Sequence, residues 1–193
     1  MSDPRGLLVV IAGPSGVGKG TVHARVRAAL PESVLSVSMT TRPPREGERD
    51  GVHYHFVDLE TFERRIADGA LLEWAEYAGH RYGTPRQPAE EAIAQGRVVV
   101  LDIELQGALQ VKQHDPDALL VFLEPPSFQE LERRLRARGT EDPDAIGRRL
   151  DRAWEELAAG DRFDVRVVND DLDRCVAEVL AAIEARRHGH ART

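Results

Sequence analysis

The chain has 193 residues, of which 41% are hydrophobic and 31% charged, a balance typical of one globular domain with a sizeable core. Its formal net charge of −7 argues against general binding to nucleic acid, and no apolar run approaches the roughly 18 residues of a membrane span. Cys175 is the only cysteine, so no intramolecular disulfide can form, and the first residues lack a signal-peptide pattern. We therefore expect a cytoplasmic protein that binds neither nucleic acid nor membranes, with the Cys175 thiol in its core.

The first pattern along the chain joins an apolar run to a glycine-rich loop. Residues 7–12 read Leu-Leu-Val-Val-Ile-Ala, which predicts a strand buried on both faces. Residues 13–18 read Gly-Pro-Ser-Gly-Val-Gly, a loop that can approach a ligand closely, and an amphipathic helix begins near Thr21. Unpaired N–H groups at such a helix start attract anions. A strand, a glycine-rich loop and a helix in this order predict a phosphate-binding site.

Lys19 and its neighbours define the kind of phosphate site. Gly13, Gly18 and Lys19 fit the G-x-x-x-x-G-K pattern of nucleotide-binding loops, in which the lysine adds a full positive charge. The complete pattern continues with Ser or Thr, whose hydroxyl binds Mg²⁺, but this chain has Gly20 followed by Thr21. The sequence therefore leaves the hydroxyl ligand of Mg²⁺ open.

A polar loop within residues 38–57 carries candidate phosphate ligands. Two prolines and two glycines exclude a regular element over 42–51. Arg42 and Arg45 flank a stiff Pro-Pro pair and can direct two guanidinium groups at one anion, and Tyr54 adds a hydroxyl donor. A solvated basic loop is the alternative interpretation of the two arginines.

Short elements surround this loop. The pattern predicts strands at 34–37 and 71–77, a helix capped by Asp58, a turn at 79–84 and a helix at 88–95. Residues 38–96 thus form a small mixed insertion on the main sheet.

Two further apolar runs predict buried strands at 98–102 and 119–123, and a last strand at 163–168 precedes a closing helix from Leu172. Asp102 lies at the end of its strand, where ligands bind in open α/β sheets and where P-loop proteins hold the acidic partner of Mg²⁺. A cap for the next helix is the alternative role of an aspartate at this position.

Arginines are dense between residues 133 and 152, where a break at 139–143 separates two helical stretches. A solvated helical face explains most of these arginines. Arg138 and Arg149 flank the break, and a mobile flap that closes over phosphates explains these two better.

These residues together resemble the guanylate kinases, a family of P-loop nucleoside monophosphate kinases, over nearly the whole chain. The first segment that carries the resemblance, 13–21, indicates only a nucleotide. The other segments are Ser38-Met-Thr-Thr-Arg-Pro-Pro-Arg45, 51–54, Leu72-Glu-Trp74, 82–84, Leu101-Asp-Ile-Glu-Leu-Gln-Gly107, 138–140 and 168–171. The three segments written out here, in this order, are highly specific for the family.

The resemblance implies an α/β fold of the P-loop NTPase type. Such a fold has three layers with a central parallel sheet, a small α+β GMP-binding insertion and a helical lid. Within a single domain, 1–193, the core would comprise 1–37, 97–135 and 153–193, the insertion 38–96 and the lid 136–152.

The resemblance also implies roles for individual residues. ATP would bind at Gly13, Pro14, Ser15, Gly16, Val17, Gly18, Lys19, Gly20, Thr21 and Asn169. The catalytic residues would be Lys19, which matches the lysine that binds the donor phosphates, and the lid arginines Arg138 and Arg149. GMP would bind through its phosphate to Arg42, Arg45, Tyr54 and Tyr82 and through its base to Ser38, Glu73, Thr84 and Glu104, with Asp102 beside them. Mg²⁺ would arrive with ATP and be held, partly through water, by Thr21 and Asp102.

The chemistry of the base agrees with these roles. Guanine offers N1–H and N2–H₂ as donors and O6 as an acceptor. A carboxylate such as that of Glu73 accepts from the donors, and the hydroxyls of Ser38 and Thr84 can donate to O6. Thr84 and Glu104 stand where the family often has Ser and Asp, and they keep the hydroxyl and the carboxylate. Adenine would leave these groups unpaired, which a site of this kind rejects by about 10⁴-fold.

The implied activity is the reversible transfer of the γ-phosphoryl group of ATP to GMP or dGMP, giving ADP and GDP or dGDP. ATP and GMP or dGMP would be the only partners, and the protein would be a monomer or a weak homo-oligomer. A P-loop kinase with another acceptor, such as a ribose bisphosphate, is an alternative that Ser38, Tyr54 and Glu73 disfavour. A non-catalytic phosphopeptide-binding module is a second alternative, which the intact phosphate loop disfavours.

Overall fold

The computed structural model describes residues 6–137 and 143–189. In chain order its elements are β1 (Leu7–Ala12), α1 (Lys19–Ala29), β2 (Val34–Leu35), β3 (Met39–Thr40), β4 (His55–Phe56), α2 (Leu59–Ala67), β5 (Leu71–Tyr77), β6 (His80–Pro85), α3 (Arg86–Ala94), β7 (Val98–Leu101), α4 (Leu105–His114), β8 (Leu119–Glu124), α5 (Phe128–Ala137), α6 (Pro143–Ala158), β9 (Val165–Val168) and α7 (Leu172–Gly189). A short 3₁₀ turn at Gly160–Arg162 precedes β9.

Five parallel strands form the central sheet, in the order β2-β7-β1-β8-β9. Alternate residues of β1 enter two different cores. Val9 and Ile11 pack with side chains of α1 and α7, whereas Leu8 and Val10 pack with side chains of α3 and α4. The sheet is therefore covered on both faces, which explains why its strands read as unbroken apolar runs. The expected three-layer α/β fold is confirmed.

A second sheet lies in the insertion, with the strand order β4-β3-β6-β5. Helix α2 begins after Asp58, whose carboxylate accepts a 2.7 Å hydrogen bond from the Thr61 N–H, so the predicted cap is confirmed. The turn predicted at 79–84 is wrong. The turn itself is Ala78–Gly79, where both residues have positive φ, and β6 follows as a strand antiparallel to β5.

Several other boundaries differ from the sequence interpretation. Helix α1 begins at Lys19 rather than near Thr21, and the strand candidate at 34–37 is reduced to Val34–Leu35. Helix α4 had no predicted counterpart. The predicted break at 139–143 lies almost wholly outside the described residues. No helix within 6–137 or 143–189 combines the length and apolar character needed to cross a membrane.

Cys175 lies in the first turns of α7 with its side chain fully enclosed by the core around β1 and α1. Burial raises the pKa of its thiol to about 11. The thiol is therefore protonated at neutral pH and acts as a small apolar side chain, as the sequence predicted.

Candidate functional site

The glycine-rich loop between β1 and α1 places a positive charge at the carboxyl edge of the central sheet. The Lys19 ammonium donates a 2.6 Å hydrogen bond to the Gly13 carbonyl across the loop. Gly16 has φ of 90°, and a methyl group there would lie 2.9 Å from the Leu135 side chain of α5. Only glycine fits at this point, because the loop must turn in the left-handed region directly beneath a helix.

Asn169, at the end of β9, fastens this loop from behind. Its buried amide donates a 2.8 Å hydrogen bond to the Val17 carbonyl. Arg134 of α5 donates to the Asn169 carbonyl at 3.1 Å and to the Val17 carbonyl at 3.4 Å. The structure thus places Asn169 beside the loop of the predicted ATP site, with its amide N–H engaged by the loop backbone.

A buried histidine connects α1 to the strand-end aspartate. The His23 Nε2 atom lies 3.3 Å from the Ile11 carbonyl oxygen and 3.5 Å from Asp102 Oδ1. Both neighbours are acceptors, so Nε2 carries the hydrogen, and Nδ1 has no hydrogen-bond partner among the described residues. Burial lowers the pKa of His23, which keeps the ring neutral near pH 7. Asp102 itself is half exposed. At Gly20, where the loop pattern of nucleotide-binding proteins has Ser or Thr, an added side chain would meet no atom within 4 Å.

A cavity of about 540 Å³ opens between the central sheet and the insertion. Of the residues predicted to bind GMP, it brings together Ser38, Arg42, Arg45, Tyr54, Glu73, Tyr82, Asp102 and Glu104, with Lys19 at one side. Thr84 lies directly behind the cavity wall, fully buried against Glu73. The residues predicted for one substrate are thus neighbours in space, although 66 positions separate the first of them from the last.

At one end of this cavity the arginine loop is held by an acidic residue. Arg42 donates through one guanidinium nitrogen to both Glu48 carboxylate oxygens, at 2.8 and 3.0 Å, and the Arg45 backbone N–H donates to the same carboxylate at 2.7 Å. These bonds hold the pKa of Glu48 below its ordinary value. The Arg42 guanidinium also lies 5.5 Å from the ring centre of Tyr54, which packs edge-on against Tyr82. The loop is therefore ordered around one arginine and presents the other to the cavity.

At the other end lies a buried carboxylate. Glu73 on β5 faces Thr84 on β6, and the Thr84 hydroxyl donates a 2.6 Å hydrogen bond to Glu73 Oε1. Burial raises the pKa of Glu73 to about 6, against a smaller lowering by the hydrogen bonds from Thr84. A hydroxyl has one hydrogen, and that of Thr84 is donated to Glu73. It is therefore not available for guanine O6, to which the sequence interpretation assigned it. Of the two hydroxyls considered, only Ser38 keeps its donor available for O6.

A second cavity, of about 290 Å³, lies over the glycine-rich loop. Its walls include Ser15 and Lys19 of the loop and Arg148 and Arg149 of α6. It shares several lining residues with the first cavity, namely Lys19, Tyr77, Glu104, Arg152 and Glu156. The two cavities therefore meet beside Lys19. Arg138, the other predicted lid arginine, lies outside the described residues.

Two residues that line these cavities were not singled out by the sequence as site residues. Arg152 forms an ion pair with Glu104, bonds Glu156 at 3.1 Å, and places its guanidinium 5.3 Å from the Tyr77 ring centre. Glu48 was also missed. Arg152 follows Arg149 by three positions, the spacing of one helix face, so it had a local signal. Glu48 lies in a loop, where that spacing does not apply, and no sequence pattern indicated it.

The comparisons with known proteins agree over nearly the whole chain. A family model described as guanylate kinase matches residues 5–186. The chain belongs to the guanylate kinase family. A guanylate kinase of Thermosynechococcus vestitus is 57% identical over 178 residues, which cover 92% of this chain and 93% of that protein.

Solved structures support the same membership. The crystal structure of a guanylate kinase from Anaplasma phagocytophilum aligns with a TM-score of 0.77 and 31% identity, covering 97% of this chain and 89% of the other. A gluconokinase from Sinorhizobium meliloti aligns with a TM-score of 0.52 at 20% identity, over 97% of both chains, which shows only a shared fold. The predicted fold is thus found in a solved guanylate kinase structure and, more loosely, in the gluconokinase.

Proposed function

We propose that this protein transfers the γ-phosphoryl group of ATP to GMP or dGMP, giving ADP and GDP or dGDP, in purine nucleotide metabolism. The observation that carries the proposal is the meeting of two cavities at Lys19. One lies over a glycine-rich loop suited to the phosphates of a donor. The other has the Glu73 carboxylate at one end and the arginine loop at the other. A nucleoside monophosphate likewise has a base with N–H donors at one end and an anionic phosphate at the other. Family membership and the names of the relatives support the same activity.

Guanine fits the buried end of the 540 Å³ cavity by its hydrogen-bonding groups. N1–H and N2–H₂ both donate, and the Glu73 carboxylate accepts through two oxygens. Its pKa of about 6 leaves it mostly ionised at pH 7.5, so both oxygens are acceptors. Thr84 orients the carboxylate, and Ser38 on the cavity wall supplies the donor for O6. Adenine, which has no hydrogen on N1, would leave the buried carboxylate without that donor.

The phosphate of GMP would lie at the arginine end. Arg45 and Arg42 carry the positive charge there, and Tyr54 and Tyr82 supply hydroxyl donors. The nucleophile is an oxygen of this phosphate, and its second pKa lies near about 6, so it is already ionised at pH 7. No general base is needed, and no residue is assigned that role. Catalysis therefore consists of alignment and charge neutralisation, in which Lys19 and Arg149 act on the transferred group together with Arg138.

The residues present fit a magnesium ion that arrives with ATP. Mg²⁺ binds in such sites through one or two carboxylates, substrate phosphates and water, and Asp102 offers a half-exposed carboxylate at the cavity wall. No cluster of three or more metal-binding side chains occurs among the described residues, so the chain holds no protein-only metal site there. Asp102 would bind directly or through water, with Thr21 nearby on α1. Bound Mg²⁺ would neutralise charge on the phosphates of ATP.

The test is an assay of ADP production from Mg·ATP with GMP, dGMP, AMP, CMP and UMP in turn. We expect turnover with the two guanine nucleotides and a kcat/KM lower by about 10⁴-fold with the others. Equal activity on all five would contradict the assignment of the base. Activity on none, with stabilisation by a phosphopeptide, would favour the binding-module alternative. A cytoplasmic location and a monomeric or weakly associating state complete the proposal and are checked by fractionation and light scattering.

A further inference from the structure

A side-chain amide attaches the guanine end of the 540 Å³ cavity, here the acceptor cavity, to helix α4, which packs on the central sheet. Strand β5 is the edge strand of the insertion sheet, and its open side faces α4. The Trp74 N–H donates a 3.1 Å hydrogen bond to Gln110 Oε1, and Gln110 Nε2 donates a 2.8 Å hydrogen bond to the Trp74 carbonyl. The amide of Gln110 thus forms both hydrogen bonds that the backbone of another strand would form at this position.

Glu73 is packed against the same face of α4. Gly107 precedes Gln110 by three positions, and a methyl group at Gly107 would lie 2.5 Å from Glu73 Oε2. At Gly107 the helix has no side chain, which leaves room for the carboxylate of Glu73. At Gln110 it has an amide that binds the backbone of the next residue, Trp74. Together these contacts determine where the Glu73 carboxylate lies relative to the central sheet.

The phosphate end of the cavity is built differently. Arg42 and Arg45 belong to the loop between β3 and β4, on the opposite side of the insertion sheet from β5. Their conformation is set by Glu48 within the same loop. The two ends of one substrate site thus have different supports, one on helix α4 and one inside the insertion.

We propose that Gln110 is a positioning residue for base recognition, which rests on the proposed assignment of Glu73 to guanine. Gln110 fixes the backbone of β5 to α4, so the carboxylate that reads guanine is in place before GMP binds. The arginine loop then supplies the phosphate contacts. Without Gln110, GMP binding must also order β5. The free energy needed for this ordering raises KM for GMP and weakens discrimination between bases, but it leaves kcat unchanged.

The test compares Gln110→Met with Gln113→Met. Methionine keeps the length of the side chain and the helix propensity but has no amide, and Gln113 is an exposed residue of the same helix. We expect Gln110→Met to raise KM for GMP about 10-fold, with kcat and the KM for ATP within about twofold of wild type. Discrimination against AMP should fall, and Gln113→Met should behave as wild type. Gln110→Glu, which keeps the acceptor but places a carboxylate oxygen against the Trp74 carbonyl, should raise KM for GMP as well.

A spectroscopic measurement reports the position of β5 without substrate. The chain has two tryptophans, and Trp154 is largely exposed on α6, so a Trp154→Phe background leaves Trp74 as the only indole. In that background we expect Gln110→Met to shift the emission of Trp74 to longer wavelength and GMP to reverse the shift. Unchanged emission together with unchanged KM for GMP would overturn the proposal.

Glu73→Gln separates this proposal from the assignment on which it rests. If Glu73→Gln weakens GMP selectivity but Gln110→Met leaves KM unchanged, Gln110 has no positioning role and the base assignment stands. If neither variant alters GMP selectivity, the assignment of Glu73 is refuted and the role of Gln110 with it. A lower melting temperature of Gln110→Met with normal KM for GMP would show a structural role only, which also refutes the proposal.

Discussion

The Thr84 hydroxyl donates to the Glu73 carboxylate across two antiparallel strands, at 2.6 Å, and both side chains are buried. The carboxylate is therefore oriented by the protein while it is separated from water. Its second oxygen lies against the bare backbone of Gly107. A buried anion with one strong donor remains under-solvated, and the two N–H groups of guanine would supply the donors that water no longer provides.

Replacement of Thr84 tests this relationship. Thr84→Val keeps the shape of the side chain but removes the hydroxyl, which leaves Glu73 without its closest donor. We expect a loss of about 1–3 kcal/mol in the free energy of unfolding at pH 7.5 and a higher KM for GMP. Thr84→Ser keeps the hydroxyl and should retain most of the GMP binding. Urea unfolding and steady-state kinetics measure both effects, and equal behaviour of the Val and Ser variants would contradict the role of the hydroxyl.

The pH dependence of stability should report Glu73 directly. Its folded-state pKa of about 6 lies above the ordinary value of 4.5, so the folded state binds more protons than the unfolded state between these values. The contribution of Glu73 to the free energy of unfolding therefore falls by about 2 kcal/mol as pH rises through this window, and the loss is complete above it. Glu73→Gln removes the titration. The stability of the variant relative to wild type should rise by about 2 kcal/mol from pH 4 to pH 7.5.

Glu76→Gln is the matched control for that measurement, because Glu76 is an exposed residue of the same strand. If Glu73→Gln and Glu76→Gln show the same difference in stability from wild type across the pH range, the Glu73 carboxylate is not the titrating group.

The two lysines of the chain should separate activity from stability. Lys19→Met removes the charge at the junction of the two cavities, and we expect kcat to fall by at least about 10²–10³-fold with little change in unfolding. Lys112 donates to the Ala118 carbonyl and to Asp164 at 2.8–3.0 Å, on α4 away from both cavities. Lys112→Met should cost about 1–3 kcal/mol of stability with nearly normal kcat. Normal turnover of Lys19→Met would refute the proposed mechanism.

Replacement of Gly20 by serine should improve Mg²⁺ binding and stability rather than impair them. A side chain there would meet no atom within 4 Å, so Gly20→Ser should fold normally and stabilise α1 by about 0.5 kcal/mol. The new hydroxyl should lower the Mg²⁺ concentration for half-maximal activity severalfold, in a titration at fixed ATP.

Gly16→Ser is the contrasting variant. Its φ of 90° and the nearby Leu135 predict a loss of about 2 kcal/mol or more. An unchanged Mg²⁺ requirement in Gly20→Ser would argue against metal binding at this point.

The sequence predicted those elements whose structure is dictated by burial. β1, β7 and β8 are covered on both faces, so apolar runs alone identify them. β6 could not be found in this way, because its residues, His-Arg-Tyr-Gly-Thr-Pro, have no hydrophobic pattern. It is a strand because β5 pairs with it, and Gly83 is required where a methyl group would lie 2.9 Å from the Glu73 carbonyl.

The candidate site divides in the same way. Residues in motifs, such as Lys19 and Arg42, were predicted because the motif specifies a local backbone geometry. The partners that hold them were not: Glu48 closes a loop through a bond six residues away, and Gln110 reaches across 36 positions. Such contacts depend on how the loop folds and how helices and strands pack together. Hydrophobic periodicity and short motifs carry no information about that packing. The donation from Thr84 to Glu73 rather than to the base is a further consequence of packing.

The enclosed thiol of Cys175 makes this protein ready for labelling experiments. Because the only cysteine of the chain is buried and protonated, thiol reagents should leave the folded protein unmodified and react only when α7 detaches. A pair of cysteines introduced on the surface of β5 and on the loop at Gly47 would then carry the only dyes on the folded molecule. The distance between the dyes, followed as GMP is added, would show in solution which end of the acceptor cavity moves.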